Sequence, residues 1–179
     1  MEIDIGISKS DRAKIADGLS RVLAGTYMLY LKTHAYHWNV TGPMFSSLHL
    51  LFETQYTELH NAADLLAERI RALGHFAPGT YGAYARLSRI AEDTEEVPPA
   101  LSMVRNLVTG NEALARTLRD AFKPAEKAHD QPTMDLLTQR MDACGKAAWM
   151  LRSHLENPQS ETMAAAGPKP KNARRRAKK

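Results

Sequence analysis

The chain has 179 residues, 44% of them hydrophobic and 25% charged, with a single cysteine, Cys144. That length suits one domain with a real core; no run approaches the ~18 apolar residues of a membrane span, the start lacks a secretory layout, and one thiol excludes an intrachain disulfide framework, so a cytoplasmic protein off the membrane is expected. The net charge of +4 is unevenly placed: residues 157–179 hold seven basic residues against Glu161, which leaves residues 1–156 at −2.

Four segments carry helical periodicity, and none alternates like a strand. The first follows the capping-type stretch Ser8-Lys9-Ser10-Asp11 and is predicted to run to about Val40, with Ile15, Leu19, Val22, Leu23, Leu29 and Tyr30 as its buried stripe. Thr41-Gly42-Pro43 breaks it. A second helix is predicted from Phe45 to about Leu73, with Leu48, Phe52, Leu59, Leu66, Ile70 and Leu73 in phase and Gly74 as its C-terminal cap. The pattern then lapses up to Pro99, where Tyr84 to Ile90 fits one or two helical turns. A third helix is expected from Pro99 to about Phe122, with Pro124 just beyond its end, and a fourth from Asp130-Gln-Pro-Thr133 to about Glu156. These elements imply an all-α four-helix bundle with a short helix in the long second connection, whose length allows a crossover.

The chemistry concentrates between Thr33 and Leu73. His49 and Glu53 are four residues apart and share one helix face; Asp64 and Glu68 form a second such pair, and His37 ends the first helix. Two imidazoles and three carboxylates suit a borderline-hard metal with open positions, above all iron, and the lack of thiolates argues against structural zinc. Singly, each has a plainer explanation: His37 beside Trp38 as a hydrogen-bonded core residue, Glu68 paired with Arg71. Along one helix, Glu53 and Asp64 lie roughly 16 Å apart, whereas metal bonds to nitrogen or oxygen are about 2 Å. Either the two pairs serve separate purposes, or a second copy, packed antiparallel about a two-fold axis, brings its acidic pair to the first copy's imidazole pair.

His37-Trp-Asn-Val-Thr-Gly42 followed by Leu48-His49-Leu-Leu-Phe-Glu53 resembles the first signature of the Dps family, the DNA-binding proteins from starved cells. Asp64-Leu-Leu-Ala-Glu68-Arg69-Ile-Arg-Ala-Leu73-Gly74 resembles the second, and Ala148 to Arg152 extends the similarity over about residues 8–156. The resemblance implies a ferritin-like domain over 8–156, a hollow dodecamer, and a two-iron ferroxidase site at each two-fold interface. On that basis His37, His49, Glu53, Asp64 and Glu68 fall on both the catalytic and the iron-ligand positions, with hydrogen peroxide as the common oxidant and ferric mineral stored inside. Trp38 would quench stray oxidising equivalents or pack, and Asp130, Asp135 and Asp142 fall on an acidic-pore segment that would draw cations inward, or are ordinary surface carboxylates. This chain departs from many members at Glu53, where Asp is usual, and at Ala63, where a larger apolar residue is usual. His34, His60, His75, His129 and His154 read as structural or exposed, and Cys144 as a buried thiol.

Residues 1–7 read as an extension and 157–179 as a disordered basic tail with little to bury. Its cations, Lys169, Lys171, Arg174, Arg175, Arg176, Lys178 and Lys179, suit double-stranded DNA bound through phosphates without sequence specificity, as some Dps proteins bind it. The expected protein is a cytoplasmic, nucleoid-associated ferroxidase of the oxidative-stress response. The alternatives are a DNA-packaging particle with a weak iron site, and iron storage without DNA binding.

Overall fold

A computed structural model describes residues 3–93 and 96–156. Five helices form, α1 (Lys9–Asn39), α2 (Phe45–Ala72), α3 (Tyr81–Leu87), α4 (Ala100–Lys127) and α5 (Gln131–Ser153), with no strand among the described residues. Ser8 opens α1 by accepting the Asp11 amide N–H on its hydroxyl, which satisfies one of the helix's free donors. The stripe expected on α1 is buried except for Tyr30, which is only half-covered, and the α2 stripe is buried throughout. Phe52, Leu48, Leu66, Met103, Leu107 and Leu114 are among the large, fully enclosed side chains of the core.

Pairings along the helices fix the topology. His37 meets His49 and Tyr30 meets His60, so α2 runs antiparallel to α1. Gly18 faces Ala121, Leu29 faces Gly110, and Asn106 donates to the Tyr36 hydroxyl, so α4 is antiparallel to α1 as well. At Gly18 the absent side chain matters, because a Cβ there would sit 3.2 Å from the Ala121 Cα. Arg69 with Asp130, Glu58 with Arg140 and Gln55 with the Ala147 carbonyl place α5 antiparallel to α2. Helices α2 and α4 are therefore parallel, and the connection over 73–99 has to travel the length of the bundle. It does so along α1: Tyr84 of α3 stacks on Tyr27 at 4.7 Å, and Asp93 farther on takes Lys32 and the Tyr36 hydroxyl.

Three boundaries differ from the sequence expectation. Thr80 caps α3 by accepting from the Ala83 N–H, so the helix starts at Tyr81 and ends at Leu87, while Ile90 is buried as loop. Helix α4 does not stop at Phe122 but continues through Pro124 to Lys127. Proline removes one backbone bond there, yet Ala121 and Ala125 on the same face are buried and hold the last turn. His129 (φ 53°) then closes α4, with the Asp130 N–H donating to the Ala125 carbonyl and the His129 N–H to that of Glu126. Finally, α5 ends at Ser153, short of Glu156.

Candidate metal centre

His37 lies in the last turn of α1, where helical carbonyls run out of N–H partners. His49 lies in the second turn of α2, across the hairpin. The two imidazoles stack with centroids 3.8 Å apart, and each Nδ1 donates to the other residue's carbonyl oxygen at 2.9 Å. A carbonyl can only accept, so both rings carry a proton on Nδ1, and the lone pair of the neutral imidazole is the one on Nε2. Backbone bonds of this kind orient metal-binding histidines. His37 is buried, and its expected hydrogen-bonded burial and its expected ligand role are thus compatible.

Glu53, Asp64 and Glu68 are all exposed on α2, and none pairs with a cation among the described residues. Arg71, the rival partner for Glu68, instead donates to the His75 carbonyl at 3.1 Å and lies over the Phe76 ring. The adjacent Arg69 is turned to Asp130 at 2.6 Å and to Thr133. One turn separates Glu53 from His49, whereas eleven residues of continuous helix separate it from Asp64. Among the described residues, no three His, Cys, Asp or Glu side chains of the single chain converge closely enough for a metal. The chain therefore presents an imidazole end with free nitrogen lone pairs and an acidic end with unpaired carboxylates, both suited to a borderline-hard cation. Leu50 and Leu65, 61% and 53% exposed, accompany these ends on α2 and add apolar surface beside them in the single chain.

His60 had no assigned partner in the sequence, yet it stands one turn before Asp64 and lines the same cleft, of about 370 Å³, with Asn61, Tyr27 and Tyr84. The spacing of four was the available signal. Ala63 also lines this cleft, which a larger side chain would narrow. His34 is half-buried, stacked on Tyr56 at 4.1 Å and 4.1 Å from the Trp38 ring, and its pKa is lowered by burial and by the neighbouring His37. Trp38 is 62% exposed, so it does not pack in this chain's own core.

Of the three aspartates expected near a pore, Asp135 and Asp142 are exposed, but Asp130 is not available to solvent. It caps α5 by accepting from the Thr133 N–H and holds Arg69, so its role is structural. Cys144 is buried as expected, and burial pushes its thiol up to about 11. The basic tail cations, Lys169 to Lys179, lie outside the described residues.

The chain matches the Ferritin family, described as a ferritin-like domain, over residues 16–160. It is 41% identical to a low temperature-induced protein of Nostoc sp. over 155 residues, 86% of this chain and 87% of that one. It is 37% identical to the DNA protection during starvation protein of Brevibacillus brevis, covering 77% of this chain and 92% of the relative. The Dps protein of Vibrio cholerae O1, described as a member of a superfamily of ferritin-like diiron-carboxylate proteins, superposes with a TM-score of 0.81 at 31% identity over 87% of this chain and 98% of the other. Fold, helix order and sequence thus agree, and the chain belongs to the Dps family of ferritin-like proteins.

Proposed function

We propose that this protein is a ferroxidase and iron-storage subunit that works as a hollow homo-oligomer, with Fe(II) and hydrogen peroxide as substrates. The observation that carries the reading is the reciprocal His37–His49 pairing, which presents two Nε2 lone pairs at one end of the hairpin while Asp64 and Glu68 stand unpaired at the other. A two-fold pair of subunits closes the gap by placing one chain's acidic end on its partner's imidazole end, twice by symmetry. His37, His49 and Glu53 of one subunit then hold Fe(II) together with the acids of the other. Carboxylates favour the ferric product once the electron has left, and two Fe(II) reduce one peroxide to water without releasing hydroxyl radical. Glu53 reaches one methylene farther than the Asp usual in the family and sets how tightly a second iron is held.

DNA protection is the second activity. Each basic tail, alone, binds duplex phosphates weakly, with Kd on the order of 10⁻⁴ to 10⁻⁶ M, and many tails on one particle raise the affinity through effective concentration. The names of relatives such as the Brevibacillus brevis protein support this reading. The test has two arms. Anaerobic Fe(II) titration followed by peroxide should show saturable binding and oxidation that the pair His37→Ala/His49→Ala abolishes. A gel shift should show DNA binding by the full chain and none by residues 1–156, with iron oxidation intact in both. Retained, salt-sensitive DNA binding by 1–156 would move that activity off the tail.

A further inference from the structure

The imidazole end and the acidic end of one chain are joined by aromatic rings. On α1, Tyr27, Tyr30, His34 and His37 follow one another at intervals of three or four and form one stripe; on α2, His49, Tyr56 and His60 form the facing one. The rings are contiguous across the seam. His37 is 5.2 Å from Tyr56, Tyr56 is 6.2 Å from Tyr30, and Tyr30 is 5.8 Å from Tyr27 and 5.5 Å from His60, between ring centroids. Tyr27 and His60 line the cleft that holds Asp64. Trp38 joins at the other end through His34. The three tyrosines are only half-buried, and none of their hydroxyls is hydrogen-bonded to a described residue, so packing alone does not call for phenols here.

We propose that Tyr56, Tyr30 and Tyr27 form an electron relay between the two ends of the α1–α2 seam. The role rests on the shared metal site proposed above. In a two-fold pair the two ends of one chain belong to different sites, so the relay connects the sites of a pair. When each site holds a single Fe(II), peroxide arriving at one of them needs a second electron. Tyr56 supplies it, its phenolic proton passing to water from a half-buried side chain whose hydroxyl no described residue holds. The resulting tyrosyl radical is refilled through Tyr30 and Tyr27 from the Fe(II) of the other site, and the proton is recovered. The balance is two Fe(II), one hydrogen peroxide and two protons giving two Fe(III) and two waters, with the O–O bond cleaved and no hydroxyl radical released. Without the relay, one Fe(II) and one peroxide give Fe(III), hydroxide and hydroxyl radical.

The variant Tyr30→Phe/Tyr56→Phe keeps the rings and removes two phenols. In iron-free protein carrying Trp149→Phe, flash oxidation with a ruthenium photosensitiser generates the radical on Trp38. A tyrosyl absorption should replace it quickly, whereas the tryptophanyl radical should last several-fold longer in the Phe/Phe variant. At one Fe(II) per subunit, the parent should consume two Fe(II) per peroxide, and the variant should move toward one, with a spin-trapped hydroxyl adduct. Equal radical lifetimes, or an unchanged two-to-one ratio with Fe(II) binding intact, would overturn the relay alone. Failure to bind Fe(II) with hole transfer intact would remove the site reading, and the relay's role with it.

Discussion

Asp130 is the place where one side chain serves three ends. It caps α5, neutralises Arg69 from α2, and accepts from the Thr133 hydroxyl, at 1% exposure. Because Arg69 follows Glu68 directly, this knot sets the rotation of the acidic end of α2. The change Asp130→Ala strands a guanidinium whose side chain is 18% exposed, a rupture of a buried pair that costs about 3–5 kcal/mol, the lost cap included. At about 2–4 °C per kcal/mol for a chain of this size, Tm should fall by about 6–20 °C, read by calorimetry at fixed protein concentration. Asp130→Asn retains the capping acceptor and loses the charge, and adding Arg69→Met to it should recover most of the loss. The pH dependence has a definite sign. Burial alone would raise the Asp130 pKa, but the bonds from Arg69 and Thr133 outweigh it and hold the carboxyl below its ordinary value. Its contribution is therefore full above about pH 4 and disappears as pH falls through the folded value, so the gap between parent and Asp130→Asn should close in acid. A Tm change of under about 2 °C for Asp130→Ala would refute the knot.

His129 occupies a left-handed position (φ 53°) that suits glycine, so His129→Gly should stabilise by about 1 kcal/mol in denaturant titration. At Gly18 a branched side chain meets the Ala121 backbone, and Gly18→Val should destabilise by about 1–3 kcal/mol in the same assay. Phe52 is fully enclosed; its replacement by Ala should cost about 3–5 kcal/mol. Cys144, buried and with its thiol pushed up to about 11, should resist iodoacetamide at pH 8 in the native protein and react once guanidinium unfolds it.

The helices could be read from the sequence because their apolar residues recur with one period and their starts carry Ser8, Pro99 and Asp130. Boundaries failed where burial overrode a local rule: Pro124 should end a helix, but Ala125 is packed, and Ile90 is apolar yet packs from a loop. The paired spacing of His49 with Glu53 and of Asp64 with Glu68 was legible for the same geometric reason. The enclosure of Asp130 was not, because nothing local tells a capping aspartate held by a distant arginine from one facing solvent. The line of tyrosines was not legible, because Tyr30 reads as part of the core stripe and Tyr27 and Tyr56 carry no local signal; only the antiparallel alignment of two stripes, from residues far apart in sequence, brings them together.

The most direct test of a site shared between chains is complementation. Subunits carrying His37→Ala/His49→Ala are unfolded and reassembled in equal amounts with subunits carrying Asp64→Asn/Glu68→Gln, and Fe(II) oxidation by peroxide is followed. Each variant alone should be inactive. In a mixed pair one site regains every ligand and the other keeps only Glu53, so random pairing should restore about a quarter of the parent activity per subunit. A mixture as inactive as its components, from assembled and well-folded particles, would contradict a metal held between neighbours.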